Sequence, residues 1–536
     1  MAIPALLPIF TALVLMCKFK VSPGKAMLTA WLMTALSAFF IWKSTPAGIA
    51  AASLQGIFKS LDIIFIIFGA ILLLNVLRKS KAIDTINASF SGISNDRRIQ
   101  ILVIAWLFSG FIEGASGFGA APALAAPLLA GLGFPPLIAA ATALICNTLP
   151  VPFGAVGIPA QTAVTTVSNQ LELIGTTPQS FSTQMLDKLT LISGISGMLL
   201  PLLAIGMMIM LSHKERKFRS FVEIIPLAML AAAAYIIPWR LTALRLGPEL
   251  PSMVGTIIGL PVILLCIKFR ILVPKYVWDF PEKSESLRTE TTETIPLKIS
   301  PLKAWLPYMA MAAALFILRM PGTIFAGWLT EVKIILPDTF GVPHSGAEWN
   351  ILNNPGLIPI SVIALVSACT WKIPVKAQIK ILQKTIAQIG VSAIAIASSV
   401  AIVQVMAASA GNSASIPGML NCVANAIAAI MGKAYLLASP FIGIFGTFFA
   451  GSCTVSNILF APLQFNTALM LDLDPALTVA LQNVGGGLGS MIRISGVIAA
   501  CATVNAAGQE GKIITLNMIP AVIMAMLAVT AALIAG

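Results

Sequence analysis

The chain has 536 residues; 58% of them are apolar, only 10% are charged, and the mean hydropathy is +0.95. Soluble globular proteins carry about 25% charged residues, so this composition excludes a water-soluble enzyme and a disordered chain. The net charge of +13 can indicate a nucleic-acid partner, but membrane topology accounts for the basic residues better. The two histidines lie in polar stretches and the seven cysteines form no CxxC pair, so we expect no metal site and no cofactor.

The apolar stretches predict an all-α fold, that of a polytopic membrane protein. A spanning helix needs about 20 apolar residues, and apolar stretches recur from residue 3 to residue 536. No basic segment precedes the first of them, residues 3–17, so we interpret it as a span and not as a signal peptide. We expect about 12–14 spanning or re-entrant helical segments, in two repeated halves with paired hairpins.

The polar connections between these stretches alternate in charge. One set holds 23 lysines and arginines and comprises residues 18–25, 78–98, 212–220, 268–303 and 372–384. The opposite set holds 4 and comprises residues 43–47, 169–187, 238–250 and 321–355. Because cytoplasmic loops carry the excess of Lys and Arg, the first set faces the cytoplasm. The sequence therefore predicts a multi-pass plasma-membrane protein with its N-terminus outside.

Two segments share an unusual order of features: a Gly/Ser-rich break, an apolar run, a proline turn, and a short apolar return to polar residues. Pairing Gly114 with Gly451, Pro136 with Pro475, and Asn147 with Asn483 gives offsets of 337, 339 and 336 residues. A near-constant offset indicates duplicated halves. We assign residues 1–211 to an N-terminal transport repeat, 212–303 to linker helices and a cytoplasmic loop, and 304–536 to a C-terminal transport repeat.

Each arm of these segments is too short to span comfortably, which favours re-entrant hairpins or broken helices whose ends meet inside the membrane. A broken helix frees backbone N–H groups and directs a positive dipole end into the gap, where a carboxylate can bind. The predicted substrate-binding residues are Gly114, Ser116, Gly117, Gly119, Asn147, Thr148, Ser452, Thr454, Ser456, Asn457, Asn483, Gly485, Gly486 and Arg493. The alternative is that the small residues only let helices pack closely.

Two ionisable residues stand at these breaks. Glu113 precedes the first, where it can carry a proton or form a structural ion pair with Arg493. Arg493 is the only lysine or arginine between Lys433 and Lys512. Its planar guanidinium suits bidentate binding of a carboxylate.

Residues 97–159 resemble the lactate permease family. The matching motifs are Glu113-Gly114-Ala115-Ser116-Gly117-Phe118-Gly119 and Asn147-Thr148-Leu149-Pro150-Val151-Pro152-Phe153-Gly154. The resemblance implies a plasma-membrane symporter of bacteria or archaea that takes up lactate or glycolate with protons, built from inverted repeats. The second half departs from the family pattern, because Cys453 stands where an aspartate is usual and Ser490 where a lysine is usual. Arg493, three residues later, is expected to replace that lysine as the anion anchor.

Residues and resemblance together predict a secondary active transporter that imports a small organic monocarboxylate (L-lactate, D-lactate or glycolate) by proton symport. Glu113 is assigned to proton coupling. The altered second motif keeps an alternative open: a sodium-coupled or exchange carrier for another organic anion. A membrane-embedded enzyme is not expected, since the only nearby acidic pair is Asp472 and Asp474. The expected partners are the anion, protons and the lipid bilayer, with a possible homo-oligomer and no nucleic acid.

Overall fold

A computed structural model gives the three-dimensional structure of most of the chain. The described residues are 1–17, 19, 21, 23–82, 85–86, 93–117, 119–212, 217–280, 299–319, 331–343, 345–352, 354, 356–414, 416–504, 506 and 509–535.

The first part of the chain is helical. Its helices are α1 (Ala2–Cys17), α2 (Pro23–Phe40), α3 (Pro46–Lys79), α4 (Arg97–Gln100), α5 (Ser109–Ser116), α6 (Ala120–Gly131), α7 (Pro136–Cys146), α8 (Gly154–Val167), α9 (Pro178–Gly197), α10 (Leu200–Leu211), α11 (Lys217–Leu246), α12 (Pro251–Phe269) and α13 (Pro301–Arg319). A π-helical segment, Ile101–Phe108, joins α4 to α5 without a break. Proline occupies the first position of α3, α7, α9 and α12, where its missing N–H has no helical partner to lose.

The second part begins with a short antiparallel hairpin, β1 (Lys333–Leu336) and β2 (Ala347–Asn350), in which Lys333 pairs with Asn350. Trp349 of this hairpin stacks on Phe65 of α3, with ring centroids 5.1 Å apart. The helices that follow are α14 (Val362–Thr370), α15 (Val375–Ala408), α16 (Met419–Met431), α17 (Tyr435–Ala450), α18 (Cys453–Met470), α19 (Pro475–Gly489), α20 (Ile494–Thr503) and α21 (Glu510–Ala535).

The prediction of a helical, multi-pass membrane protein is confirmed. Within the described ranges, eight helices are long and apolar enough to cross a membrane, and a ninth span results if the bent pair around residues 147–150 counts as one. Shorter apolar helices accompany them, among them α6. The division into two repeated halves, and the boundaries at residues 211 and 303, stay predictions.

The span from Arg97 to Ala115, which we call the central span, is buried inside the protein along its whole length. α11 and α12 pack directly on it. Trp106 contacts Tyr235 edge-to-face, with ring centroids 5.4 Å apart, and the Thr256 hydroxyl donates to the Leu107 carbonyl at 2.8 Å. A span shielded from lipid on every side can carry polar groups that a lipid-facing helix cannot.

A buried ion-pair network fixes the N-terminal end of this span. Asp96 caps α4 and also accepts from Arg98, whose side chain is 1% exposed, at 2.6 Å. Arg98 donates further to the carbonyls of Ser220 and Tyr276, both at 2.7 Å. These bonds hold α11 and the segment after α12 against the central span.

Removing the Arg98 side chain should destabilise the protein strongly, because Asp96 would keep its buried charge without an ion-pair partner. We expect Arg98→Ala to lower the free energy of unfolding by about 3–5 kcal/mol. Arg219→Ala is the control, since Arg219 is 62% exposed in its pair with Glu223 and should lose about 0.5 kcal/mol. Thermal unfolding midpoints of the purified variants measure the difference, and equal midpoints would contradict it.

Candidate functional site

The first broken region follows the central span. α5 ends at Ser116, and Gly117 (φ +60) and Gly119 (φ +84) turn the chain through left-handed conformations before α6 begins. A Cβ on Gly117 would lie 2.6 Å from the Cβ of Ala155, so only glycine fits this approach. α6 and α7, which we call the first hairpin, return the chain to a second break.

The second break runs from Asn147 into the start of α8 and bends the chain by 65°. Ala155 (φ 45), Val156 (φ 60) and Gly157 (φ 80) form an uninterrupted left-handed run there. A positive φ is a genuine outlier for a β-branched residue such as Val156. Strained backbone of this kind concentrates at functional sites, where surrounding structure holds it in place.

The second half of the chain contains a matching arrangement. α17 ends at Gly451 (φ +69), and the Ser452 hydroxyl accepts from the Val455 N–H to cap α18. α18 and α19 form the second hairpin, with Asp474 capping α19. α19 ends at Gly489, and the chain is then non-helical until Arg493, which precedes α20.

All four breaks contribute to one cavity, whose wall includes three backbone turns and two charged side chains. It is lined by Glu113, Gly117, Val151, Gly154, Ala155, Ile158, Pro159, Ser452, Cys453, Thr454 and Arg493. Its volume, about 20 Å³, is enough for one water molecule, which needs about 10–15 Å³. The four breaks are therefore neither far apart nor in exposed loops; they meet in the interior.

Glu113 is 2% exposed and is held by polar neighbours. Its Oε2 accepts from Asn147 Nδ2 at 3.0 Å, and Ser109 donates to Asn147 Oδ1 at 3.4 Å. A Cβ on Gly154 would lie 2.8 Å from Glu113 Oε1, so the carboxyl group rests against bare backbone. The site thus presents one carboxyl oxygen to Asn147 and the other to the start of α8.

Arg493 is 6% exposed and has few partners for its donors. Nη1 donates to the Gly451 carbonyl at 3.5 Å, and Nε has no hydrogen-bond partner among the described residues. Nη2 lies so close to Gly119 that a Cβ there would overlap it. In the described structure Arg493 and Glu113 line the same cavity without forming a direct ion pair. A buried guanidinium with spare donors is suited to an anion.

Three predicted polar residues lie one layer behind the cavity, inside the second hairpin. Asn457 Nδ2 donates to Asn483 Oδ1 at 2.6 Å and to the Pro159 carbonyl at 3.0 Å, which ties the hairpin to α8. Ser456 accepts from Gln482 Nε2 at 3.0 Å. The sequence pattern places Asn483 at a break, but α19 continues to Gly489, because its glycines pack closely on α17. The hydrogen bonds described above satisfy the buried amides within the helix pair.

The other predicted residues have separate positions. Gly114 packs on Ser252, Gly485 on Pro440, and Gly486 on Cys453, each where a Cβ would clash. Thr148 bonds to the Leu144 carbonyl and lines a different, smaller cavity. The side chain of Ser116 falls outside the described part of the structure. Of the predicted set, Gly117, Ser452, Thr454, Arg493 and Glu113 line the central cavity, while Asn147 and Gly119 contact its two charged groups.

Sequence reasoning missed the contribution of α8. Gly154, Ala155 and Pro159 line the cavity, and the signal for them was the Pro150-Val151-Pro152 run, which interrupts a helix ahead of a glycine. It also missed the polar interior of the second hairpin, where Gln464 accepts from Tyr435 at 2.7 Å and donates to Gln482 at 3.1 Å. Isolated glutamines in an apolar stretch gave no pattern to detect.

Fold and site together define a multi-pass membrane protein whose broken helices meet at a buried, charged cavity. A sequence profile of the L-lactate permease family matches residues 1–536. The chain belongs to this family, whose members are transporters and not enzymes. The family expected from the motifs is confirmed.

Several curated relatives share most of their length with this chain. The L-lactate permease of Bacillus subtilis (strain 168) is 30% identical over 498 residues, covering 86% of this chain and 83% of that protein. The L-lactate permease of Salmonella typhi is 28% identical over 534 residues, covering 95% and 91%. The glycolate permease of Escherichia coli (strain K12) is 26% identical over 542 residues, covering 96% and 91%.

Gly119→Ala should displace Arg493 as well as strain the backbone. We expect the left-handed φ to lower the free energy of unfolding by about 1–2 kcal/mol. The overlap with the guanidinium should lower it by about 1–3 kcal/mol more. Gly175→Ala is the matched control, because Gly175 (φ +61) has the same backbone constraint but a Cβ there meets none of the described residues. Thermal unfolding midpoints measure both variants. Equal losses would show that Arg493 does not rest on Gly119.

Proposed function

We propose that the protein imports a small organic monocarboxylate, such as L-lactate, D-lactate or glycolate, together with a proton across the plasma membrane. The observation that carries this proposal is the shared cavity of Glu113 and Arg493 at the junction of the four helix breaks. Relatives named for lactate and for glycolate support the substrate class. On this proposal the N-terminus is outside and the chain forms two transport repeats.

Arg493 and the start of α18 would bind the carboxylate. The guanidinium lines the cavity and its Nε has no hydrogen-bond partner among the described residues, so it can donate to a carboxylate without breaking an ion pair. Ser452 and Thr454 line the cavity at the N-terminus of α18, where the helix dipole favours negative charge. Their hydroxyls would bind a 2-hydroxyl group on the same substrate.

Glu113 would couple the anion to a proton by charge balance. With Glu113 ionised, the cavity holds one negative and one positive side chain, and a bound carboxylate would add a second negative charge at close range. A proton on Glu113 restores balance, so the anion and the proton bind best together. Asn147 then holds the carboxyl group in place in either state.

The cavity must widen for transport, because its about 20 Å³ holds a water molecule and not a monocarboxylate. The cavity wall consists of breaks, which can change dihedral angles without opening a regular helix. Movement of the two hairpins relative to the central span would expose the site to each side in turn.

Glu113→Gln should abolish proton-driven accumulation, because an amide cannot carry the proton. In proteoliposomes with an acid exterior, the wild type should concentrate lactate while the variant only equilibrates it. Glu331→Gln is the control, since Glu331 is exposed. Full accumulation by Glu113→Gln would contradict the role of Glu113. Uptake that follows imposed sodium and ignores pH would favour the sodium-coupled alternative, and uptake only against internal anion would favour exchange.

Arg493→Gln should weaken substrate binding, because a charge-assisted bond to the carboxylate is lost. Such bonds contribute about 1.5–3 kcal/mol, so KM should rise about tenfold to a hundredfold. Arg493→Lys should recover part of the loss through charge alone. Arg270→Gln, at an exposed position, controls for the net charge. An unchanged KM in Arg493→Gln would remove this residue from the site.

A further inference from the structure

A large polar cavity lies beside the central one, on the face formed by the loops with few lysines and arginines. Its volume is about 660 Å³, within the range of about 300–1,000 Å³ that small-molecule sites occupy. Its walls are α3, α8, α9, β2, the end of α11 and the residues between α11 and α12. We call this space the vestibule.

The vestibule carries two cations without carboxylate partners. Lys59 of α3 donates to Asn169 Oδ1 at 3.1 Å, and Arg245 at the end of α11 is exposed; neither forms an ion pair with any described residue. The carboxylates of the same cavity are engaged: Glu348 pairs with Lys333 at 3.0 Å, and Glu249, only 6% exposed, accepts from Gln161 at 2.9 Å. The positive charges are therefore the ones left open to a solute.

A thin wall separates the vestibule from the central cavity. Ile158 and Pro159 line the central cavity, and Gln161 on the same helix lines the vestibule. Three residues of helix span about 4.5 Å, so less than one helical turn lies between the two spaces. The wall consists of this turn and the Pro248–Glu249 segment, whose Pro248 carbonyl lies directly against Gly157.

We propose that the vestibule is an outer binding site for the organic anion, in which Lys59 and Arg245 hold the carboxylate before it passes the Gln161–Glu249 hydrogen bond into the central cavity. This inference rests on the proposed function. Lys333 neutralises Glu348, so two cations face one remaining carboxylate, Glu249, and the vestibule keeps an excess of positive charge. A recessed cavity with such an excess concentrates solutes of the opposite sign. The hydroxyls of Thr165 and Ser168 also line it; they donate to the carbonyls of Gln161 and Thr165, so they can accept a hydrogen bond from a hydroxyl group of the same solute.

The test is the concentration dependence of lactate uptake into proteoliposomes. Lys59→Gln and Arg245→Gln should each raise KM about threefold to tenfold while the maximal rate stays within about twofold. Lys59→Arg should retain the wild-type KM. Lys376→Gln removes one exposed positive charge elsewhere and should change neither parameter. Added salt should raise the wild-type KM more than that of the double variant Lys59→Gln/Arg245→Gln, because screening acts on charges that are still present.

Unchanged KM values in both single variants, or a loss confined to the maximal rate, would overturn the inference while leaving the proposed function intact. If the wild type takes up neither lactate nor glycolate, the proposed function fails. The vestibule is then tested by the thermal stabilisation that lactate, glycolate and acetate give the purified protein. If Lys59→Gln and Arg245→Gln both reduce the stabilisation by these anions and Lys376→Gln does not, the result supports the site. If all three variants are stabilised as much as the wild type, the inference is overturned.

Discussion

A helix that stops inside a membrane leaves backbone N–H and C=O groups for which lipid offers no partner, so each break has to be covered by protein or open onto a cavity. Four breaks in this chain solve the problem together. The turns at Gly117 and at Gly451 end their helices in glycines with positive φ. Gly117 and Ser452, which follows Gly451, line the same small cavity as the start of α8 and Arg493. The site exists because the breaks have to be sheltered from lipid.

The two sides of the cavity differ in rigidity. On the side of the second hairpin, Gln464, Gln482 and Asn457 are fully buried and joined to Ser439, Ser456 and Asn483 by hydrogen bonds. Satisfied buried networks of this kind fix one arrangement of the helices around them. On the other side, Glu113 depends on Asn147 and the bare backbone at Gly154. A closed network on one side and a sparse one on the other favours movement at the junction between them.

Composition and charge were enough to predict the helical membrane fold, because the length of each apolar stretch and its lack of charged residues can be read directly from the sequence. Glu113 and Arg493 were predictable as a pair of exceptions in apolar surroundings. The end of α19 was not predictable, because its glycines stay helical through packing on α17, and local sequence does not encode that packing. The role of Ala155 was not predictable either, since an alanine with a left-handed φ requires tertiary contacts to hold it.

The left-handed run in α8 has an energetic consequence. Ala155 and Val156 each hold a left-handed conformation, which costs an L-residue about 1–2 kcal/mol. Together the two residues therefore hold about 2–4 kcal/mol of strain energy. Moving one proton down a gradient of two to three pH units releases a similar amount, about 1.4 kcal/mol per unit. The strain energy held in this one kink is thus comparable to the free energy that one proton releases over such a gradient.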